Sequence, residues 1–291
     1  MLNNQQTGPT VTNKFQYPQA VVQAVISGLH QPEAGKFGVT SLLGPPAIRG
    51  LRLEKWNHLS IDVDDQLPAL FGQAWHKLLE ENVGPKVIAE LELSLKYEDV
   101  LIRGRLDELS NDGVLADHKT CSAIAMMYDK TEWVEQLNVY GYMAEKNGYP
   151  VSKLRIHAFL KDWNKWDAMR NKAYPKRRFH VVDIPKWPEK KVHALIAERV
   201  ADHKAGIRPC TPEEMWERPS QWAVHKNGIK RARKLCDSPE EAEKYIAYSK
   251  DKNLYVNKRL GQRVRCENYC MVACVCPYYK EYIDGRESET T

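Results

Sequence analysis

The sequence predicts an α/β protein in which helices flank a mixed central sheet and a cysteine-bearing C-terminal extension follows. Three observations predict it. Apolar residues recur at helical spacing across 65–81, three strand-like runs separated by short turns fill 87–120, and four of the seven cysteines fall between Cys266 and Cys276.

The elements follow in order. The first ten or so residues read as disordered, and residues 1–37 are expected to form a partly disordered N-terminal segment. Leu67, Leu70, Phe71, Ala74, Trp75, Leu78 and Leu79 mark one helix face, which Gly84-Pro85 brings to an end. His76 lies on this helix. Val87 to Lys96, with its alternating ELELSLK, Val100 to Leu109 and Val114 to Thr120 then read as strands, and Glu98-Asp99 and Asn111-Asp112-Gly113 supply the turns. Trp133, Leu137, Tyr140 and Ala144 predict a helix over 131–146, ended by Asn147-Gly148, residues that tolerate a left-handed backbone. Strands over 151–160 and 179–184 and a helix over about 188–205 complete a core expected to span 38–206. Residues 207–291 form the cysteine-containing extension, expected to pack on that core.

A chain of 291 residues can bury a substantial core without disulfides, so stability alone does not account for the cysteines. With 43% hydrophobic and 28% charged residues the composition is that of a globular protein, and no apolar run approaches the roughly 20 residues that span a bilayer. A membrane partner is not expected. The opening MLNNQQTGPTVTNKF lacks both a basic start and an apolar stretch, so no secretory signal is visible and a reducing cytoplasm is the expected compartment. There, clustered cysteines point to a metal or cluster site rather than to disulfides. The net charge of +5 permits a polyanionic partner without demanding one.

The chemistry lies in two neighbouring strands. GRLDEL (Gly104 to Leu109) is followed by a tight turn and by VLADHKT (Val114 to Thr120), so a hairpin would bring Asp107 and Asp117 together. Residues two apart on a strand share a face, which puts Lys119 beside Asp117. Carboxylates suit the hard divalent cations that phosphodiester hydrolysis uses, and the lysine can orient a water or steady developing negative charge. Such residues on a hairpin are ordinarily a solvated face. Here the run Val114 to Ala116 is apolar up to Asp117, which argues for acids at the end of a buried strand, where an uncompensated charge would be costly.

GRLDEL, then G-x-x-x-D-H-K-T, then a helix with Gln136-x-x-x-Tyr140, with His76 on an upstream helix, resembles the RecB-like exonuclease branch of the PD-(D/E)XK nucleases. The match runs from about Val39 to Gly206. VTSLLGPPAIRGL near its start and RCENYC near the end of the chain are similar to single-domain bacterial and phage members, including the CRISPR-associated RecB-like nucleases. The family's leading proline is replaced by Leu106. The resemblance implies a restriction-endonuclease-like core and a magnesium- or manganese-dependent deoxyribonuclease. Asp107 and Asp117 would be metal ligands, joined by His76 and the carbonyl of His118. Lys119 would be the catalytic lysine, with Gln136 and Tyr140 completing the site from one helix face. For His76 the plain alternative is a helix histidine satisfied by a backbone or water partner, and for Tyr140 it is core packing. Glu90, opening the first strand, is a further acid near the site. The implied role is that of an exonuclease or end-processing nuclease in DNA recombination, repair or phage replication, in a bacterial or phage-infected cell, with a helicase or recombination protein as a possible partner. The alternatives are a DNA-binding or recombination accessory protein that keeps the fold without cleaving, and a structural zinc protein.

Cys266, Cys270 and Cys276, spaced C-x3-C-x5-C-P, resemble the C-terminal part of the iron-sulfur signature in cluster-bearing members of this branch. The usual upstream cysteine is absent, since none precedes Cys121. Cys274 is only two residues from Cys276, so Cys210 in RPCTPEE is the favoured fourth ligand of a [4Fe-4S] cluster, with four-thiolate zinc as the alternative. Nucleic-acid contacts are expected from Lys226, Lys230, Arg231 and Arg233, which have no acid among them, and from Trp163, Trp166 or Tyr174 stacking on bases. A solvated helix face produces the same charge run.

Overall fold

The computed structural model describes residues 8–128 and 130–290, and the chain divides into two compact units, 1–208 and 209–291. The first unit is a mixed α/β fold. Its elements are β1 (Thr10–Thr12), α1 (Gln19–Ser27), β2 (Lys36–Gly38), α2 (Val39–Leu43), α3 (Pro46–Lys55), β3 (Ser60–Asp62) and α4 (Val63–Glu80). They continue as β4 (Val87–Tyr97), β5 (Val100–Ser110), β6 (Val114–Cys121), α5 (Thr131–Lys146), β7 (Lys153–Leu160), α6 (Lys165–Arg170), β8 (Phe179–Ile184) and α7 (Glu189–Lys204).

The expected disorder of the opening residues falls largely on positions outside the described residues, and from residue 8 onward the segment is placed. Residues 1–7 lie outside the described residues, but β1 pairs in parallel with β3, and the Thr12 hydroxyl donates to Asp62 at 2.6 Å. Asp62 in turn caps α4 by accepting from the Asp64 amide at 3.1 Å. The N-terminal strand therefore fastens the start of the helix that carries His76. Polar patterning hid it, because three residues of parallel pairing leave no periodicity to read.

The central sheet is mixed. β4 runs antiparallel along the whole of β5, β6 and β7 are parallel, and β8 closes the edge antiparallel to β7. The free edge of β5 is shared: β2 pairs in parallel with Leu101 to Arg103, and β6 pairs antiparallel with Glu108 and Leu109 only. Between them, among the described residues, Gly104 to Asp107 have no strand partner on that edge, and this notch positions the site. The turn from β5 to β6 needs Gly113, whose φ of +80° favours a residue without a Cβ. Helix α5 lies on one face of the sheet, with Gly141 against Leu154, and α4 reaches the other, where Trp75 stacks on Phe159 with ring centroids 4.7 Å apart. Leu106, Leu115, Leu137, Met143, Leu154 and Ile156 are among the fully buried core side chains, each worth about 1.5–3 kcal/mol.

The second unit comprises β9 (Glu217–Arg218), β10 (Gln221–Lys226), β11 (Lys234–Cys236), α8 (Pro239–Tyr248), β12 (Leu254–Arg259), β13 (Gln262–Arg263), α9 (Val264–Asn268) and α10 (Pro277–Thr290). A three-stranded antiparallel sheet, β11-β10-β12, packs α8 over a small core of Val224, Cys236 and Ala242. A two-stranded ribbon, β13-β9, leads into the cysteine-bearing turns.

Candidate active site

Asp117 lies in the middle of β6, not at the end of a buried strand as the sequence suggested. β6 follows β7 from Val114 to Cys121, but its pairing with β5 stops at Ala116. The carboxylate thus stands at the end of one ladder while its backbone remains inside another. Asp107 takes the place of the missing strand bond: its Oδ2 accepts from the His118 amide at 2.6 Å.

Helix α5 brings Gln136 over the notch. Lys119 Nζ donates to Gln136 Oε1 at 3.0 Å, and Gln136 Nε2 donates to Asp117 Oδ1 at 3.2 Å. Lys119 Nζ also lies 2.8 Å from Asp117 Oδ2, although that buried oxygen receives no properly directed hydrogen bond. Burial pushes the Asp117 carboxyl up, against the pull of the Lys119 charge. Tyr140, one helical turn from Gln136, is buried and hydrogen-bonded to Gln136 and to the backbone of Arg105, and burial pushes its hydroxyl up to about 12. Its ring fits because position 104 is glycine: a Cβ there would lie 2.5 Å from Tyr140 Cε1 and 3.1 Å from Val39 Cγ2. For Tyr140, packing and site contact coexist.

His76 reaches the notch from α4. Its Nε2 is 2.9 Å from the His118 carbonyl and its Nδ1 3.3 Å from Asp107 Oδ1. The bond to Asp107 raises the His76 pKa against the effect of burial. For Asp107 burial acts upward, but the His76 ring and the His118 amide outweigh it and hold the carboxyl below the ordinary range. Among the described residues, Glu90 joins His76 and Asp107 in a group whose ligating atoms all lie within 4.8 Å of one another. Glu90 falls opposite Asp107 in the β4–β5 ladder, yet it drops out of the pairing with φ +51° and lies 2.6 Å from Arg105 Nε. Such a backbone costs on the order of 1 kcal/mol in a residue with a side chain. The sequence marked Glu90 only as a nearby acid. Its alternation placed the residue but not the left-handed backbone that takes it out of the ladder.

The fold therefore brings together His76, Asp107, Asp117, Lys119, Gln136, Tyr140 and the His118 carbonyl, with Glu90 added. Of these, His76, Glu90 and Asp107 present ligating atoms close enough together to hold a metal ion.

In the second unit, Cys210 lies in the same neighbourhood as Cys266, Cys270 and Cys276. The Cys210 thiol is pushed up to about 12 by burial first, then by Glu214, Cys266, Cys270 and Cys276. Cys270, half-buried beside Cys266 and Cys276, is pushed up to about 11 by burial first. Cys274 is exposed, and Cys236 is buried in the unit's small core. The ribbon β13-β9 and the bond from the Arg265 amide to the Met215 carbonyl, 3.0 Å, draw the Cys210 turn toward α9.

The basic run is partly neutralised in the fold. It has no acid in sequence, but the fold supplies one: Asp251 lies 2.7 Å from Lys226 Nζ and 3.6 Å from Arg233 Nε. Lys230 and Arg231 are exposed. Of the proposed stacking residues, Tyr174 is buried and Trp163 donates to the Pro175 carbonyl at 2.8 Å, while Trp166 is exposed.

Among the described residues no helix is long and apolar enough to cross a membrane. No family model matches the chain, and no curated protein matches it. Among solved structures, SSO0001 aligns at 14% identity and a TM-score of 0.49, over 90% of this chain and 94% of that one. An alkaline exonuclease (LHK-Exo) from Laribacter hongkongensis aligns at 11% identity and a TM-score of 0.35, over 59% and 89%. Likeness at this level assigns the chain no activity.

Proposed function

We propose that this chain is a magnesium- or manganese-dependent deoxyribonuclease of the PD-(D/E)XK type, acting at DNA ends as an exonuclease or end-processing nuclease. The observation that carries the reading is the convergence of Asp107, Asp117, Lys119 and Gln136 at the notch where the β5–β6 ladder stops. The donor set fits a hard cation: two carboxylates and a backbone carbonyl, with one buried Asp117 oxygen lacking a directed hydrogen bond. Asp107, Asp117, His76 and the His118 carbonyl would hold the ion, and Glu90 is close enough to Asp107 and His76 to join them. When bound, the ion neutralises the phosphate and lowers the pKa of an attacking water. Lys119 stands beside Asp117 to orient that water and to offset charge on the phosphate. Gln136 fixes the lysine, and Tyr140 fixes Gln136 by packing in the space that Gly104 leaves.

In the second unit, Cys210, Cys266, Cys270 and Cys276 would hold a [4Fe-4S] cluster, with zinc as the alternative. Four thiols near enough to interact electrostatically, in a unit with a small core, favour a structural role. DNA is the proposed partner, with a helicase or recombination protein as a second, in recombination, repair or phage replication.

The test is incubation of the purified chain with end-labelled single-stranded and duplex DNA, with manganese or magnesium and with excess chelator. Cleavage that requires the ion and disappears in Asp117→Ala supports the proposal. Undiminished cleavage in chelator, or wild-type activity in Asp117→Ala, overturns it.

A further inference from the structure

Side chains alternate across a strand, so the neighbours of Asp107 and Asp117 face the other side of the sheet. Glu108 on β5, His118 on β6 and His157 on β7 meet there. The register makes this so: Glu108 pairs with Ala116, two residues before His118, and His118 pairs with His157. His118 Nε2 lies 3.0 Å from Glu108 Oε1, His157 Nδ1 lies 3.8 Å from Glu108 Oε2, and the two rings are 5.2 Å apart. One ligating atom from each of the three falls within 4.8 Å of the other two.

A second observation points to a ligand. His118 is only 5% exposed, yet among the described residues its Nδ1 has no hydrogen-bond partner, and its Nε2 has only the Glu108 carboxylate beside it at 3.0 Å. An unsatisfied buried polar group costs about 1–3 kcal/mol, and the hydrolysis proposed above makes no use of this ring.

The geometry points to a second metal site, in which Glu108, His118 and His157 bind a divalent transition ion of the zinc class, back to back with the hydrolytic carboxylates. Two imidazoles and one carboxylate suit zinc or cobalt rather than magnesium, which takes oxygen donors. Three protein ligands leave a further position for water. The ion would tie β5, β6 and β7 together at the level where the β5–β6 ladder ends, bracing the strand segments that carry Asp107 and Asp117 from behind. The site stands independently of the nuclease reading, since only binding is claimed for it.

The test is a cobalt titration of the full chain, carrying whatever metal its thiols hold as purified, in excess magnesium. Cobalt reports its ligands through its visible spectrum, because thiolates add sulfur-to-metal charge-transfer bands that nitrogen and oxygen ligands do not. One equivalent of cobalt with no charge-transfer bands is expected in the wild type and in Asp117→Asn. Glu108→Gln and His157→Ala should each weaken it at least about tenfold. Glu108→Gln preserves shape, so it decides the matter should His157→Ala fail to fold. The inference fails if the wild type shows only sulfur-ligated cobalt, if Glu108→Gln binds as the wild type does, or if His76→Gln alone removes the signal.

Discussion

The chain carries two donor sets of opposite character. In the first unit, carboxylates and an imidazole project from β5, β6 and α4 over a large apolar core, and each side chain is held by its own hydrogen bonds. In the second unit, thiols sit on turns and a five-residue helix, and the buried core beside them is small. The difference teaches which way causation runs. On the sheet, the fold exists first and the site is a consequence, so a ligand can be removed without loss of the scaffold. In the turns, little apolar burial fixes the thiols, and a bound metal would itself supply the stability of its surroundings.

The largest effect that would break this comparison is expected in the second unit. Cys270→Ser should lose the metal centre and with it much of the stabilisation, on the order of 10 kcal/mol, that a structural thiolate site contributes. Hydrogen exchange should rise throughout 209–291 while 8–208 stays protected, and iron or zinc analysis should show less than one equivalent. Because burial and the neighbouring thiols raise Cys210 to about 12 and Cys270 to about 11, both are protonated at neutral pH without metal, and loading must release those protons. Retention should therefore weaken as pH falls, by up to about a decade per pH unit for each such thiol. Full metal content in Cys210→Ser and loss in Cys274→Ser would show that the fourth ligand is Cys274.

Next in size is Lys119→Ala. It should lower kcat/KM by roughly 10³-fold, about 4 kcal/mol of transition-state stabilisation, with the first unit still folded by circular dichroism. An equal collapse of fold and activity would mean that the sheet depends on the Lys119–Asp117 pair and would erase the contrast with the thiols.

Gly104→Ala should sit between the two behaviours. Its Cβ would meet the buried Tyr140 ring at 2.5 Å, and a ring has no flexible end to move aside. A destabilisation of about 1–3 kcal/mol is expected, with a loss of activity through displaced Tyr140 and Gln136. An unchanged Tm would show that α5 shifts freely over the sheet.

The smallest effect is in pH dependence. His76 is raised above its ordinary 6.5 chiefly by its bond to Asp107, and a protonated ring cannot ligate a cation. Activity should thus fall as pH drops through a value above 6.5, by up to about tenfold per unit, and the limb should move in His76→Gln. A profile flat across that range removes His76 from the ligand set.

Much of the sheet was legible because its signals are local. The alternation over 90–96, the Asn-Asp-Gly turn and the helical stripe over 131–146 each specify an element from its own residues, and the structure places strands and a helix there. The shared face of Asp117 and Lys119 follows from the same period of two. What the sequence could not carry is everything set by pairing between distant segments. The β1–β3 pair that anchors α4, the end of the β5–β6 ladder at Ala116, the left-handed break at Glu90 and the acid that neutralises Lys226 and Arg233 all depend on register or long-range approach. His118 and His157 lie 39 positions apart in numbering, and only the parallel register of β6 on β7 sets them side by side. Local periodicity decides which way a side chain points; tertiary register decides what it meets.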